Sequence, residues 1–484
     1  VYQSFSQNEK VKPAQADTPS AFLANTRSPL IYVLIPLALG YISGRNLPLP
    51  CSTMILSMTG IMLLIGAWFI TIQVRTHKLW FFIFPLGVFL ASWSYYLDTR
   101  SEHAQMQYSQ PPREGELTLQ VWRVFDSNPN SQTASGLAII IEAPRYPNLI
   151  GQRIAYRLKL NNKQAPHRGL SFLAQGVITP ASYFSKSASS EGFHRYLENM
   201  DVHFKLQSGK MLKITDSGNR FYQFCARANE KFTNLLMRSI DSDSQASGIL
   251  PALVLGKKSL LSKAQRERFV SSGTMHIFAI SGLHVGMVAA ALYALLSKLG
   301  LRNFFGTVIG LALVYLYVQI TGGSTSAMRA FTMVAFLWSA RSIMRQSTSF
   351  PALVASACAV LILEPDQLWN PGFQLSYAVV AAILLYGAPL SDAWKIFWEP
   401  ERFIPLGTRA PMRRFSGISG RWAGCSIAIS LAATLTSAPL VAHYFEVITP
   451  GGIVLNLLLF SFVGILLIAG IISCLLGLCL PVLS

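Results

Sequence analysis

The sequence predicts a polytopic α-helical membrane protein of about ten spans, interrupted by an inserted small extracytoplasmic β-barrel domain. Three observations predict it. Of the 484 residues, 51% are hydrophobic and only 13% are charged, and mean hydropathy is positive, which places the chain in the polytopic membrane class. Apolar runs long enough to cross a bilayer recur on both sides of a polar insert. Inside that insert the hydrophobic period changes to two, the period of half-buried strands.

Taken in order, the runs lie at about 29–44, 52–73 and 79–97, then at about 274–297, 303–320, 327–342, 350–364, 371–390, 422–442 and 451–482. The 350–364 run is short, which suits a tilted or re-entrant segment. The last is long enough for a break near Ser461 or Gly464. The first is not a signal peptide, because further spans follow at once. A start at Val1 and a stop at Ser484, directly after an apolar run, read as the edges of a fragment. The predicted organisation is a tail with three transmembrane helices over 1–97, a small β domain over 98–217, an amphipathic helical linker over 218–273 and a transmembrane domain over 274–484.

Loop charge sets the topology. The loops carrying Arg75 and Lys78, Lys298 and Arg302, and Arg341 and Arg345 are basic. So is 391–421, with six basic residues (Lys395, Arg402, Arg409, Arg413, Arg414 and Arg421) against three acidic. The alternate loops at 321–326, 364–370 and 443–450 hold no Lys or Arg. With the N-terminus inside, every basic loop is cytoplasmic and the insert, about 98–273, lies outside. The six cysteines are scattered, without a Cys-x-x-Cys, and read as soft packing residues.

In the insert, Leu117, Leu119 and Val121 alternate with polar neighbours, as do Ile154, Tyr156, Leu158 and Leu160. Further strands are expected at 137–143, 172–179, 203–208 and 211–215, a number that suits a small barrel. Residues 98–270 hold 23 Lys and Arg against 14 Asp and Glu, a net charge of +9. The positive-inside rule does not ask for this outside the cell, so the excess points to an anionic partner, with simple solubility as the plain alternative. Over 219–240, Phe221, Cys225, Ala228, Phe232, Leu235 and Leu236 share one helical face. Arg220, Arg227, Lys231 and Arg238 line a flank of it as an external basic surface. Such a stripe suits a helix lying on lipid or one that touches phosphates. Lys257, Lys258, Lys263, Arg266 and Arg268 form a second basic group before the next span.

Strongly polar residues within the spans are few: His284, Arg329, Gln374 and Asn456, with Ser281, Gly282, Ser324, Ser326 and Ser376 nearby. His284 is about ten residues into its run, hence roughly 15 Å deep if the run is helical throughout. At that depth an imidazole needs a polar partner or water. Arg329 follows the Gly322-Gly323-Ser324 turn, either snorkelling outward or standing as an outer cation that meets phosphate. Gly372 and Ser376 form a small-xxx-small pair, so Gln374 and Ser376 are read either as helix-packing contacts or as pore lining. Asn456 has the same two readings. Ser281 with His284 invites a nucleophile–base reading, but no acidic residue within a span orients the imidazole and the flanking glycines of a nucleophile elbow are missing. No catalytic residue, metal ligand set or cofactor is expected. Gly256-Lys257-Lys258-Ser259 lacks the first glycine of a phosphate loop, so no NTPase is expected either.

Four segments carry a resemblance: His276 through Gly286; Gly322-Gly323-Ser324-Thr325-Ser326-Ala327-Met328-Arg329-Ala330; Pro371-Gly372-Phe373-Gln374-Leu375-Ser376-Tyr377; and Pro439 followed by Asn456-Leu457-Leu458. In order and spacing they resemble the ComEC competence-protein family. The resemblance implies an OB-fold for the insert and a channel in the bacterial cytoplasmic membrane that passes single-stranded DNA inward during natural transformation. It also implies membrane lipid, a separate DNA receptor, a cytoplasmic ATPase or DNA-binding protein and a separate nuclease as partners, with oligomerisation left open. Three features depart from the family. No metallo-β-lactamase-like domain follows, the external domain lacks a cysteine pair, and Phe460 and Ser461 replace the usual proline after the Asn-Leu-Leu segment. The rival readings are a transporter of a small anion or lipid headgroup, with a closed midplane site, and a membrane hydrolase built on Ser281 and His284.

Overall fold

The structure is a computed structural model. It describes residues 28–47, 53–73, 77–104, 111–125, 133–159, 166–180, 183, 196–198, 200, 202–238, 248–272, 274–301, 304–343, 349–398, 411–445 and 452–479. Three N-terminal helices pack together: α1 (Ile31–Asn46), α2 (Thr53–Gln73) and α3 (His77–Ala104). Small residues set their spacing. A methyl group at Gly60 would lie 2.7 Å from the Ala91 backbone nitrogen, so α2 and α3 meet backbone to backbone, as apolar helices do where side chains are absent. The Ser94 hydroxyl donates to Thr53 O at 2.7 Å, and Tyr41, fully buried, donates from α1 to Leu361 O at 3.0 Å. The last of the three helices runs seven residues past the expected end at 97.

A closed five-stranded barrel follows, in the order β1-β2-β3-β5-β4. Its strands are β1 (Arg113–Val124), β2 (Thr133–Glu142), β3 (Arg153–Lys159), β4 (Ser171–Pro180) and β5 (Val202–Asp216). All neighbours are antiparallel except β3 and β5, which run parallel from Arg153↔Val202 to Lys159↔Lys210. The alternating residues that predicted the strands fill the interior: Leu117, Leu119, Ile154, Leu158, Phe172 and Leu206 are fully buried. Burial pushes the Tyr156 phenol well above its usual pKa. The expectation of two strands at 203–208 and 211–215 is corrected. They are one 15-residue strand that continues through Ser208 (φ 51°), pairing with β3 over 202–210 and with β4 over 204–216.

Beyond the barrel, α4 (Arg220–Arg238) and the short α5 (Ile249–Leu255) pack on the helical domain. Phe232, Leu236, Val254, Leu255 and Leu467 share one apolar cluster. Asn229 Nδ2 donates to Ile320 O at 2.8 Å, and Phe221 stacks on Tyr315. The apolar face of α4 therefore packs in part on protein, with Cys225 and Leu236 buried and Phe224 left exposed. Burial raises the pKa of the Cys225 thiol on that face. After α6 (Lys263–Ser271) come α7 (Gly282–Lys298), α8 (Phe304–Ile320), α9 (Thr325–Ser342) and α10 (Ser349–Leu363). Then α11 (Pro371–Ala382) continues through one π-helical segment, Ile383–Gly387, into α12 (Ala388–Trp398). Last come α13 (Pro411–Phe445) and α14 (Gly452–Cys479).

Among the described residues, three helices are long and apolar enough to cross a membrane: Leu79–Thr99, Pro371–Trp394 and Ala423–Tyr444. Five shorter apolar stretches are also described; Gly282–Lys298, Phe304–Ile320 and Ser349–Leu363 are whole helices, and the other two lie within the longer α2 and α14. These stretches do not by themselves confirm about ten spans, and some apolar runs include turn as well as helix. The clearest case is 274–297, whose first part is a 3₁₀ turn at Met275–Phe278 and then extended chain. Conversely, α14 is continuous, with no break at Ser461 or Gly464. Within 391–421, Lys395 belongs to α12 and Arg413, Arg414 and Arg421 to α13, while 399–410, with Arg402 and Arg409, lies outside the described residues.

Candidate functional site

Ser281 is the N-cap of α7, in extended conformation, so His284 lies on the first turn of that helix and not ten residues into one. The depth expected from the sequence is corrected accordingly. His284 is fourteen positions before Lys298, about 21 Å along the axis. It would therefore lie in the far third of a hydrocarbon layer about 30 Å thick measured from Lys298. His284 is only 1% exposed. Its Nδ1 accepts from the Ser281 backbone N–H at 3.4 Å and lies 2.9 Å from Ser281 Oγ. A neutral ring with Nδ1 accepting carries its proton on Nε2, and that nitrogen is buried without a hydrogen-bond partner.

Hydrogen bonds tie three of the four singled-out segments into one string and join it to α13. Ser324 caps α9, with its hydroxyl accepting from Ala327 N–H at 3.3 Å and donating to Ile280 O at 3.4 Å. Gly282 sits against the Ala330 methyl. On the next turn of α9, Arg329 Nη2 donates to Gly372 O at 2.9 Å. From α11, Gln374 donates to Leu368 O at 2.9 Å and accepts from the Tyr444 hydroxyl of α13 at 2.8 Å. Both ends of Gln374 are thus engaged within the bundle. Ser326 and Ser376 are half-buried. The side chain of Asn456 lies outside the described residues.

Arg329 does not snorkel. It is 5% exposed, and its Nε and Nη1 are buried without partners. Gly372 makes room for it: a methyl group there would stand 3.2 Å from Arg329 Nη2. The glycine of the small-xxx-small pair therefore accommodates a guanidinium. Among the described residues, six of the ten buried side-chain atoms without partners belong to His284, Arg329, Gln367, Asn370 and Tyr377. Buried polar groups are normally satisfied, so this concentration within and beside the segments marks a polar interior.

The barrel is fastened to the same turn. Arg168, between β3 and β4, donates to Gln319 Oε1 at 3.0 Å, and its guanidinium lies over the Tyr222 ring. Nothing in the sequence singled out this residue, nor a basic and aromatic group elsewhere on the barrel. Arg153 lies 4.5 Å over the Trp122 ring, and Arg123 donates to the Tyr196 hydroxyl at 2.9 Å. Burial raises the Tyr196 pKa while Arg123 opposes the rise. The adjacent Trp122-Arg123 pair is the one local signal that could have flagged it. Arg220, Arg227, Lys231 and Arg238 are all exposed on α4, as the helical spacing predicts.

The family described as "Competence protein" matches residues 253–484, beginning within α5. ComE operon protein 3 of Bacillus subtilis is 23% identical over 283 residues, 58% of this chain and 32% of that protein. Competence protein ComA of Neisseria gonorrhoeae is 28% identical over 221 residues, 42% of this chain and 29% of that protein. Recombination protein 2 of Haemophilus influenzae is 24% identical over 146 residues, 29% of this chain and 18% of that protein. The chain spans about a third or less of the length of these curated relatives. No solved structure matches it. The match takes in all of the segments tied together above, and residues 253–484 are similar throughout to the competence-protein family.

Proposed function

We propose that this chain is part of a membrane channel that passes single-stranded DNA into the cytoplasm during natural transformation. The observation that carries the reading is the competence-family match over 253–484, in which three of the singled-out segments meet in one hydrogen-bonded string with unpaired polar atoms beside it. A single strand carries one charge about every 3.4 Å, so a bilayer core would hold on the order of ten phosphates. One buried arginine cannot pair them. The path is hydrated, lined by hydroxyl, amide and imidazole groups, and the cationic surfaces that collect the strand lie outside it.

The barrel is read as an OB-type domain, because five strands in the order 1-2-3-5-4 close it with one parallel pairing. Arginine beside aromatic rings, as at Trp122 and Arg153, is the chemistry that holds single strands through backbone charge and base stacking. The positive-inside count puts the barrel on the outer face of the cytoplasmic membrane. Energy, reception of DNA and removal of the second strand fall to partner proteins. The test is a transformation assay in a deletion strain complemented with the full-length gene. Failure of the wild-type gene to restore DNA uptake would refute the reading.

One geometric observation favours a second reading, a hydrolase: Ser281 Oγ stands 2.9 Å from His284 Nδ1. Among the described residues no carboxylate bonds His284 Nε2, which leaves the ring without the orienting acid that such chemistry uses. Loss of function in Ser281→Ala at normal protein level would favour the hydrolase.

A further inference from the structure

We propose that Arg329, Asn370 and Tyr377 form a buried binding site for one small inorganic monoanion such as chloride. The three side chains are 5%, 5% and 8% exposed. Among the described residues, three atoms able to donate have no partner, Arg329 Nε and Nη1 and Asn370 Nδ2, and the Tyr377 hydroxyl, which makes no hydrogen bond of good geometry, has only the Ser356 side chain near enough to bond. The donors come from α9, from the residue capping α11 and from α11 itself, and the Arg329 guanidinium and the Asn370 amide approach one point. That point, where a Gly372 methyl would stand, is 3.1 Å from Asn370 Oδ1 and 3.2 Å and 3.9 Å from Arg329 Nη2 and Nη1. Asn370 Oδ1 accepts from Gly372 N–H at 2.9 Å, which fixes the amide and leaves Nδ2 as a donor. Tyr377 is near enough to Arg329 for the two to act on each other electrostatically.

The positive charge has no ion-pair partner within 4.0 Å among the described residues. Glu364 is an acid that bears on Arg329 electrostatically. It is exposed, its carboxylate accepts from Gln367 Nε2 at 2.7 Å, and water screens its charge. Water in the site would satisfy the hydrogen bonds but not the charge, and a buried unpaired charge is strongly disfavoured. A DNA strand does not reach a guanidinium enclosed to this degree beside Met333, Leu368 and Phe373 of the adjoining apolar cluster. A single compact anion does both tasks. The start of α11 adds the field of its dipole but no free amide, since the Gly372, Phe373 and Gln374 N–H groups are all bonded to Asn370.

Because the site belongs to the folded protein, its ligand stabilises that state by mass action. The experiment uses the full chain purified in detergent, without DNA, so it stands or falls apart from the transport reading. At constant ionic strength, replacing gluconate by chloride or bromide raises the thermal unfolding midpoint, and the rise saturates. Arg329→Gln abolishes that response. If this variant does not fold, Tyr377→Phe carries the test, raising the half-saturating chloride concentration about tenfold through loss of one charge-assisted hydrogen bond. An identical midpoint for wild type in gluconate and chloride overturns the proposal. So does a full response in Arg329→Gln, or an unchanged half-saturation in Tyr377→Phe.

Discussion

Gly323 joins a backbone requirement to a close approach. Its φ is +59°, and a methyl group there would stand 3.0 Å from Arg168 Nη1 and 3.1 Å from Gln319 Oε1. Neighbouring Gly322 has φ +93° with open space around it. Both positions penalise a side chain through the backbone by about 1–2 kcal/mol, but only Gly323→Ala also displaces Arg168. We predict that Gly323→Ala and Arg168→Ala both speed protease cleavage of the β3–β4 loop, whereas Gly322→Ala lowers the unfolding temperature without that effect. Equal cleavage in all three would refute a barrel held by Arg168. The sequence marks the two glycines as a turn, but the Arg168–Gln319 bond joins residues 151 positions apart, and nothing local announces it.

His284 was legible for the opposite reason: a lone polar ring in an apolar run is conspicuous wherever the helix begins. What the run does not reveal is the start of the helix at Gly282, because Ser281 and Gly282 look no different from other small residues in it. With Nδ1 bonded to Ser281 N–H, loss of the ring removes a cap interaction of about 1 kcal/mol. We predict that His284→Ala still accumulates in the membrane but lowers DNA uptake at least tenfold, while binding of DNA outside persists. Asparagine, which keeps an acceptor for Ser281 and a donor in place of Nε2, restores much of the uptake. Normal uptake in the alanine variant would remove His284 from the path.

At the level of single elements, α4 divides its work between two faces. The apolar face packs on α5, α8 and α14 through Phe221, Phe232 and Leu236, leaving Arg220, Arg227, Lys231 and Arg238 in solvent. We predict that Arg227→Gln, Lys231→Gln and Arg238→Gln together weaken binding of labelled single-stranded DNA by the purified chain. They should also flatten its salt dependence by up to about two in the logarithmic slope, about 0.7 for each phosphate that the stripe no longer neutralises. An unchanged slope would assign the stripe to solubility. The faces were readable because helical periodicity is local. The cover was not, because it comes from residues of α8 and α14 far along the chain. In β5 the limit was different: Ser208-Gly209 has the composition of a turn, yet pairing to β3 on one side and β4 on the other keeps the strand running through it.

For the protein in its membrane, orientation is the property that the proposed transport needs most. In a background without the six native cysteines, Asn148→Cys lies on an exposed loop of the barrel, and Leu299→Cys, at the end of α7, replaces a residue that is 65% exposed. We predict that a membrane-impermeant thiol reagent applied to spheroplasts labels the first and spares the second until the membrane is opened. The reverse pattern would invert the topology. The membrane class, the inserted barrel, the charge bias of the loops and the segments that matter could all be read along the chain, because composition, periodicity and charge act over a few neighbouring residues. Where helices begin within apolar runs, the cover that protein lays over α4, and the inward turn of Arg329 to Gly372 emerged only from the packed fold. Those outcomes depend on which distant group is near enough to bond, cover or exclude water, and such distances are set when the helices pack.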